Sequence, residues 1–341
     1  MRVGIIGAGA MGSVHTAGWA QTEAEIAGIF DASQPAAQTL ADRYGVRTFP
    51  DLAALLAAVD IVDLCTPTHL HHPLVLQVAA AGKHVLCEKP LARTLADGRE
   101  MVVVCRQAGV KLMVAHVIRF FPEYRQAKEA VDAGRVGQVA VMRLKRNVYQ
   151  PKKAEDNWFV DFDKSGGLIL DLMIHDFEYA RWVAGEVTTV FAKSIRTQHP
   201  DARSDHGLAI LTHASGALSL VEGSWAYPPP TFRTQFEIAG SEGLLIHDSE
   251  ATAPITLRLQ QRAGESPDVP LPSSPLLEDP YTTEIKAFYE AVRHDRPVPV
   301  SAGDGLAALQ IALAAIESTQ TGRPVHIEPL AEVAAWKAVV A

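Results

Sequence analysis

The chain has 341 residues, of which 48% are hydrophobic and 21% are charged, and its formal charge at neutral pH is −8. At roughly 150 residues per domain, this length indicates two domains, and the composition is that of a soluble globular protein. The acidic balance argues against a nucleic-acid partner, and three cysteines without a C-x-x-C spacing argue against a disulfide framework or a structural zinc site.

The first third of the chain alternates short apolar runs with helical patterns. The predicted strands are Arg2–Ile6, Glu25–Phe30, Ile61–Cys65, His84–Glu88 and Lys111–His116. The predicted helices lie near Met11–Gln21, Pro35–Tyr44, Leu52–Val59, Pro73–Ala81 and Leu95–Ala108. This alternation predicts an α/β domain with a parallel sheet over residues 1–120. With no leader before the first strand and no apolar stretch long enough to span a bilayer, we expect a cytoplasmic protein without a membrane partner.

After residue 120 the pattern changes to helices followed by β-rich segments. Helices are predicted over Glu123–Ala133 and from about Gly166 to Ala184. Strands are predicted at Val139–Asn147, Val187–Arg196, Gly207–His213, Ala217–Ala226, Thr234–Ala239 and Leu244–His247. Short turns between several of them indicate a mostly antiparallel open sheet, so residues 121–341 are predicted to form one α+β domain.

The last part of the chain contains a proline-rich segment and two helical patterns. Ala263–Pro280 holds five prolines and is predicted to be an extended surface connection. Apolar stripes at helical spacing follow, at Ile285, Phe288, Tyr289 and Val292 and then at Leu306, Leu309, Leu313 and Ile316. Both stripes predict packing into a core.

A glycine-rich turn, Gly7-Ala8-Gly9-Ala10-Met11-Gly12, follows the first predicted strand and leads into a helix. In a dinucleotide-binding turn the three glycines permit the tight turn, the approach of a pyrophosphate and the close packing of helix and strand. Asp31 lies at the end of the second strand, where a carboxylate accepts hydrogen bonds from ribose hydroxyls and repels a 2′-phosphate. The pattern favours NAD over NADP. The alternative for Asp31 is that it only caps the next helix.

The segment Thr66-Pro67-Thr68-His69-Leu70-His71-His72 follows the strand predicted at Ile61–Cys65. It is expected to face the cofactor, because ligands lie beyond the carboxyl ends of parallel strands. Three histidines in four positions also suggest a metal site. However, residues two apart do not share a helical face, and no acidic or cysteine ligand is near in sequence, so we expect no metal.

The segment Gly82-Lys83-His84-Val85-Leu86-Cys87-Glu88-Lys89-Pro90 ends a predicted strand with Glu-Lys-Pro. The Lys89 ammonium is expected at the cofactor cleft, where it can donate to a substrate hydroxyl or carbonyl. The proline restricts the residue before it and permits a cis bond. The alternative is an ordinary surface turn.

A fourth motif runs from Gly166-Gly167 to His175-Asp176. If it is helical, Asp171 and His175 are four residues apart on one face, where the carboxylate can orient the imidazole as a proton acceptor. On spacing alone, an ordinary helix pair at a domain surface is the more frequent explanation.

Together these motifs resemble the Gfo/Idh/MocA oxidoreductases, the family of glucose–fructose oxidoreductase and inositol dehydrogenase. The glycine-rich turn, the Glu-Lys-Pro segment and the Gly-Gly-x3-Asp-x3-His segment occur in family order, with His116-Val117-Ile118-Arg119-Phe120-Phe121-Pro122 between the last two and Gly240-Ser241-Glu242-Gly243 at the end. The resemblance implies a Rossmann domain followed by an α+β domain whose open sheet mediates a homodimer or homotetramer.

The resemblance also implies that Lys89, Asp171 and His175 are the catalytic residues. One departure is visible: many members have an aspartate three residues after the histidine, where this chain has Glu178, and Asp176 follows the histidine directly. This departure concerns the surroundings of the catalytic set rather than the set itself.

We therefore predict an NAD-dependent oxidoreductase that moves a hydride between the nicotinamide and a hydroxyl or carbonyl carbon of a sugar, polyol or sugar derivative. His175 is the predicted general base, Asp171 orients it, and Lys89 stabilises charge on the substrate oxygen. The alternatives are an NAD-dependent glycosidase of the same family and a non-catalytic NAD-binding regulator.

The expected contact residues form two overlapping sets. Cofactor contacts are expected from Gly7, Gly9, Ala10, Met11, Gly12, Asp31, Thr66, Pro67, His71, Glu88, Lys89 and Arg119. Substrate contacts are expected from Lys89, Arg119, Tyr149, Trp158, Asp171 and His175. Trp158 lies on the polar segment Lys152–Lys164, which either covers the substrate or is a loop anchored by one buried indole.

Overall fold

The structure is a computed structural model that describes residues 1–151, 157–197, 205–251 and 278–330. The chain divides into two compact units. One contains Met1–Phe120 and residues 278–306, and the other contains the remaining described residues. Each unit has its own sheet. Within the described ranges, no helix combines the length and apolar character that crossing a membrane requires.

The first unit is a five-stranded parallel sheet with helices between its strands, which confirms the predicted α/β class. Its strands are β1 (Arg2–Ile6), β2 (Glu25–Phe30), β3 (Ile61–Leu64), β4 (His84–Glu88) and β5 (Leu112–Ala115), in the order β2-β1-β3-β4-β5. Its helices are α1 (Ala10–Trp19), α2 (Gln34–Tyr44), α3 (Leu52–Ala58), α4 (His71–Ala80) and α5 (Leu95–Gln107), with 3-10 turns at Thr68–Leu70 and Val117–Phe120. The central strands are almost entirely buried, as expected of a parallel sheet covered on both faces.

A late helix, α10 (Pro280–Arg293), belongs to this first unit. The helix begins with a proline in its first turn. The Asp279 side chain caps this end by accepting a hydrogen bond from the Thr282 N–H. Its predicted apolar stripe is buried in the same core as Trp19 of α1. Gly18 allows this packing, because a Cβ on it would lie 2.5 Å from Ile285 Cδ1.

The division of the chain falls after Phe120. The prediction of one domain over residues 121–341 stays a prediction, and within this range residues 278–306 pack with the first unit, because the apolar face of α10 completes its core. Most of the proline-rich segment Ala263–Pro280 lies outside the described residues.

The second unit is built on a seven-stranded mixed sheet, which confirms the predicted α+β class. Its strands are β6 (Val139–Val148), β7 (Val187–Ile195), β8 (His206–His213), β9 (Leu218–Ser224), β10 (Phe232–Gly240), β11 (Leu244–Asp248) and β12 (Val325–His326). Their order is β11-β10-β6-β9-β8-β7-β12, and every neighbouring pair is antiparallel except β6 and β9. The helices are α6 (Pro122–Asp132), α7 (Phe162–Ser165), α8 (Gly167–Asp171), α9 (Ile174–Ala184) and α11 (Ala302–Thr321), which continues from the first unit.

The single helix predicted from Gly166 to Ala184 is instead α7, α8 and α9, and the break between α8 and α9 separates Asp171 from His175. The His175 N–H bonds to the Leu172 carbonyl rather than to that of Asp171. The expectation of a continuous helical turn between the two predicted catalytic residues is therefore wrong.

The break between α8 and α9 packs against two glycines that lie opposite each other on β8 and β9. Met173 is buried, and a Cβ on Gly223 would lie 2.4 Å from its Cγ, while a Cβ on Gly207 would lie 2.6 Å from its Sδ. Only glycine leaves room for the methionine at these two positions. The segment that carries Asp171 and His175 is thus held on the sheet by Met173.

We expect Gly223→Ala to displace Met173, because the added methyl group has no room. Overpacking of this kind costs roughly 1–3 kcal/mol in the free energy of unfolding, which chemical denaturation measures. The double variant Gly223→Ala, Met173→Ala removes the colliding side chain. It should therefore be more stable than the sum of the two single changes implies. If the losses in unfolding free energy of the two single variants simply add in the double variant, the contact between Met173 and Gly223 does not hold the segment.

Candidate active site

The turn between β1 and α1 has the geometry of a dinucleotide-binding loop. Gly7 has a φ of 104°, and a Cβ on it would lie 2.5 Å from the Cys65 carbonyl oxygen. A Cβ on Gly12 would lie 1.9 Å from the Gly7 carbonyl oxygen, so α1 approaches the turn closely. A Cβ on Gly9 would contact nothing within 4 Å. The open space beside Gly9 fits a pyrophosphate, which needs close access to the backbone.

The start of α1 and Asp31 complete the features that fit NAD. No side chain caps the N-terminus of α1, so none competes with an anion for its first N–H groups. The Asp31 carboxylate accepts from the N–H groups of Ala8 and Ser33, each at 2.7 Å. These bonds fix its orientation and leave lone pairs for ribose hydroxyls. The N-cap of α2 is Ser33 rather than Asp31.

His71 joins the loop after β3 to the turn after β4. Its ring is buried, with Nδ1 2.8 Å from the Pro90 carbonyl oxygen and Nε2 2.9 Å from the Thr66 carbonyl oxygen. Burial lowers the pKa of His71, so the neutral ring donates to one of these carbonyls at a time. The two loops that were predicted to face the cofactor are therefore held together by one side chain.

The adjacent histidines His71 and His72 have different partners. His72 faces α5, with Nε2 2.9 Å from Glu100 Oε2 and Nδ1 3.9 Å from Asp97 Oδ1. Both ring nitrogens of His71 instead face backbone carbonyls. The hydrogen bonds thus assign these two side chains to separate surroundings.

Lys89 lies directly after β4, in the turn formed with Pro90. The Lys89–Pro90 bond is cis, as the sequence permits. The Lys89 N–H donates to Glu88 Oε2 at 3.0 Å, and the Pro90 carbonyl oxygen lies within hydrogen-bond distance of His71 Nδ1. The backbone of this turn is therefore held on both sides at the carboxyl edge of the sheet.

A cluster of buried ionisable side chains lies behind this turn, and the sequence analysis missed it. His15 of α1 has Nδ1 2.9 Å from Asp63 Oδ2, and Trp19 Nε1 donates to the same oxygen at 2.6 Å. His15 Nε2 lies 3.1 Å from Glu88 Oε1, an ion-pair distance without hydrogen-bond alignment. The one sequence signal was Asp63 itself, because an aspartate in the apolar strand Ile61–Leu64 needs a buried partner.

The charge of His15 follows from these neighbours. Burial is the largest single effect and opposes protonation of the ring, but Asp63 and Cys65 together outweigh it and hold the pKa of His15 well above its ordinary value. His15 is therefore an imidazolium between two carboxylates, Asp63 and Glu88.

His15, Asp63 and Cys65 offer one nitrogen, one oxygen and one sulfur within 4.8 Å of one another, which is close enough to suggest a cation site. Their hydrogen bonds argue for a different role. Asp63 accepts from His15, from Trp19 and, at 3.4 Å, from Cys65 Sγ. Burial, and then the Asp63 charge, raise the pKa of the Cys65 thiol, so it is a donor rather than a thiolate ligand.

Glu284 of α10 is a further buried carboxyl group near this cluster. It is fully buried, and neither of its carboxyl oxygens has a hydrogen-bond partner among the described residues. Burial raises the pKa of Glu284 well above its ordinary value. Glu88 and Asp63 raise it further, and His15 opposes them. Glu284 is therefore protonated when its neighbours are charged.

Glu284→Gln is expected to stabilise the protein increasingly as pH rises. The unfolded carboxyl ionises near its ordinary pKa of 4.5, whereas the buried one keeps its proton to higher pH. The stability that this group contributes is thus present below the unfolded pKa and is lost as pH rises towards the folded pKa. Glutamine has no proton to lose. The difference in unfolding free energy between variant and unmodified protein should grow from acid to alkaline pH, and a flat difference would show an ordinary pKa for Glu284.

Asp171 and His175 lie in the second unit, on either side of the break between α8 and α9. Asp171 is buried, and His175 is half-buried in the first turn of α9. The next residue, Asp176, is fully buried and accepts from Arg146 Nε at 2.8 Å and Nη2 at 3.3 Å. This ion pair fastens the turn that carries His175 to β6. Glu178, at the position where the family pattern has aspartate, is buried further along α9.

Arg119, predicted to contact cofactor and substrate, is buried in the first unit. Its Nη1 donates to the Pro299 carbonyl at 3.1 Å, and its Nη2 lies 3.5 Å from Asp304 Oδ1. These contacts fix the guanidinium, and its role in binding stays a prediction.

Tyr149 and Trp158, the other predicted substrate contacts, belong to the second unit. Tyr149 is buried, and its backbone pairs with Ala226. Trp158 is half-buried and stacks on Phe159, with ring centroids 4.1 Å apart. Residues 152–156 of the segment predicted to cover the substrate lie outside the described ranges. A substrate role for either ring stays a prediction.

Comparison with known proteins agrees with this geometry. The model of the Gfo/Idh/MocA oxidoreductase family, NAD-binding Rossmann fold, matches residues 1–116, and the model of the Gfo/Idh/MocA C-terminal domain matches residues 124–246. Inositol 2-dehydrogenase of Rhizobium meliloti is 32% identical, over 96% of this chain and 99% of that protein. The 1,5-anhydro-D-fructose reductase of Ensifer adhaerens is 33% identical, over 79% of this chain and 80% of that protein.

A solved structure shows the same fold. The crystal structure of GenD2 from gentamicin A biosynthesis, in complex with NAD, is 26% identical and superimposes with a TM-score of 0.86, covering 96% of this chain and 97% of that one. Taken with the glycine-rich turn, the Lys89–Pro90 turn and the two family models, these similarities show that the chain belongs to the Gfo/Idh/MocA family of oxidoreductases.

Proposed function

We propose that the protein oxidises a hydroxyl carbon of a sugar or an inositol-like polyol with NAD, or reduces the corresponding carbonyl. The observation that carries the proposal is the Lys89–Pro90 turn, which Glu88 and His71 hold at the carboxyl edge of the nucleotide-binding sheet. A lysine fixed there can donate to the oxygen at the reacting carbon. Relatives along nearly the whole chain are named as inositol dehydrogenases, which supports a polyhydroxylated substrate.

The chain's residues would divide the chemistry between them. Bound NAD supplies the hydride acceptor. The open backbone at Gly9, the start of α1 and Asp31 would hold its pyrophosphate and ribose. Lys89 would donate a hydrogen bond to the substrate oxygen and stabilise its developing negative charge. His175 would take the hydroxyl proton, with Asp171 orienting its ring. The meeting of Lys89 with Asp171 and His175 on one substrate is part of the proposal.

Screening inositols, aldoses and sugar acids for NADH formation tests the substrate class. Formation of NADH with a polyol or sugar and none with simple alcohols is the expected result. Activity confined to substrates without neighbouring hydroxyl groups would contradict the proposal.

A preference for NAD over NADP follows from the fixed Asp31 carboxylate. Its two oxygens already accept from Ala8 and Ser33, so it cannot turn away from a 2′-phosphate, and no basic residue follows it at Ala32 or Ser33. We expect NAD to bind at least about tenfold more tightly than NADP, because like charges would meet there. Asp31→Ser with Ala32→Arg should narrow or reverse this ratio of dissociation constants. Equal or tighter binding of NADP by the unmodified protein would defeat the assignment.

Substitution of the predicted catalytic residues should lower turnover without loss of NAD binding. Removal of a general acid or base costs about 10²- to 10⁴-fold in rate, so His175→Ala should fall in this range. Lys89→Met keeps the aliphatic stem and removes the donor, so its loss of kcat reports missing charge stabilisation. The rate–pH profile of the unmodified enzyme should show an ionisation that the His175→Ala variant lacks.

The opposite outcome has a clear signature. If Asp171 and His175 only pack a helix surface, their variants lose thermal stability and keep near-normal turnover. A well-folded His175→Ala enzyme with near-normal kcat would end the proposed mechanism, although the family assignment would stand.

We also propose that the open face of the second sheet joins two copies of the chain. Large apolar side chains are exposed there, at Ile195, Leu208, Ile210, Leu218, Leu220, Leu244 and Ile246. Ile210 and Leu220 are paired across β8 and β9, so they share one face. Exposed apolar residues grouped in this way mark association surfaces. The expected assembly is a homodimer or homotetramer.

A cytoplasmic location remains part of the proposal. Cys65, Cys87 and Cys105 are all free thiols, which is the usual state in a reducing compartment.

A further inference from the structure

A continuous series of polar contacts runs from α1 to the Lys89 backbone. Trp19 Nε1 donates to Asp63, Asp63 binds His15 Nδ1, and His15 Nε2 lies 3.1 Å from Glu88 Oε1. The other oxygen of Glu88, Oε2, accepts from the Lys89 N–H at 3.0 Å. The two oxygens of Glu88 thus connect a buried imidazolium with the backbone of the proposed catalytic lysine.

Because the groups are buried, these contacts restrict where each side chain can lie. His15 and Asp63 have no exposed surface, and Glu88 is 6% exposed. Buried carboxylates are stable only when they are paired, so Glu88 cannot turn towards solvent without leaving His15 uncompensated on that side. The position of the Glu88 carboxyl is therefore set by His15, and the Lys89 N–H follows it.

We infer that His15, acting through Glu88, is a positioning residue for Lys89 in the reaction proposed above. The ion pair between His15 and Glu88 and the hydrogen bond from the Lys89 N–H to Glu88 hold the Lys89 backbone where its ammonium meets the substrate oxygen. His15 contacts neither substrate nor cofactor in this scheme, and its effect on turnover passes through Lys89. The inference rests on the proposed role of Lys89 and adds the residues that keep it in place.

Among the described residues, the groups that face His15 fit this role. Asp63 of β3 and Glu88 of β4 supply the two charges that balance the imidazolium, and Cys65 after β3 donates to Asp63. From α10, the Tyr281 ring lies 6.2 Å from the His15 ring, and Glu284 adds a protonated carboxyl.

The test is His15→Gln in two backgrounds, the unmodified enzyme and Lys89→Met. Glutamine keeps much of the size of the imidazole and removes the charge that holds two carboxylates. Loss of a residue that orients a catalytic group costs about 10- to 100-fold in rate, so kcat should fall by this amount in the unmodified background. In the Lys89→Met background the same change should alter kcat by less than about twofold, because the group it positions is gone. The dissociation constant of NAD, measured by protein fluorescence, should stay close to that of the parent in both.

His213→Gln is the matched control. His213 is also buried, and its two ring nitrogens bond to the Gly185 carbonyl and Ser219 Oγ in the second unit. Its loss should lower the melting temperature and leave kcat unchanged in both backgrounds. If His15→Gln does not fold, Glu88→Gln in the same two backgrounds takes its place, since it breaks the ion pair with His15 at nearly constant shape.

Three outcomes decide the matter. The inference is supported if His15→Gln lowers kcat by the expected factor in the unmodified background and changes kcat little in the Lys89→Met background. If His15→Gln lowers kcat equally in both backgrounds, or does not lower kcat in the unmodified enzyme, the inference is overturned and the proposed function is left intact. Near-normal kcat in Lys89→Met alone overturns the proposed role of Lys89, and the inference falls with it.

Discussion

Three buried carboxyl groups lie around one imidazole in the first unit. The geometry at the carboxyl edge of its sheet depends on how the charges of these four groups are balanced. Isolated charges in an apolar interior cost far more than a domain's net stability, so each must have a partner or a proton. Asp63 and Glu88 share the His15 imidazolium, whereas Glu284 keeps its proton. The Glu88 carboxyl group thus lies between His15 and the Lys89 N–H inside the fold.

The second unit reaches a fixed geometry by a different route. Met173 needs the space left by Gly207 and Gly223, and Asp176 is tied to Arg146. Together, an apolar contact and an ion pair fix the chain on both sides of residues 174 and 175. A residue that moves a proton needs such support, because small displacements of a catalytic group cost orders of magnitude in rate. Both proposed halves of the chemistry thus sit on rigidly held segments.

Local sequence patterns predict much of this fold, and the differences between the predicted and the observed elements have physical causes. Strand and helix bounds in the first 120 residues follow from apolar runs and glycine or proline punctuation, so they agree within a few residues. The membership of α10 in the first unit could not be predicted, because an apolar stripe does not state which core it enters. The break at Met173 depends on glycines more than thirty residues away in sequence. In the same way, the cluster around His15 joins residues from β3, β4, α1 and α10 that share no local motif.

The site shows the same division between local and distant information. The glycine-rich turn, Asp31 and the Lys89–Pro90 turn are contiguous signals whose geometry the structure supports. The most direct test of the proposed chemistry is a polyol substrate deuterated at the carbon to be oxidised, followed by mass spectrometry of the cofactor. Hydride transfer predicts that the deuterium is recovered in NADH and that the labelled substrate reacts more slowly. Product formation without deuterium in NADH, or release of an alcohol from a glycoside with no net NADH, would contradict a dehydrogenase.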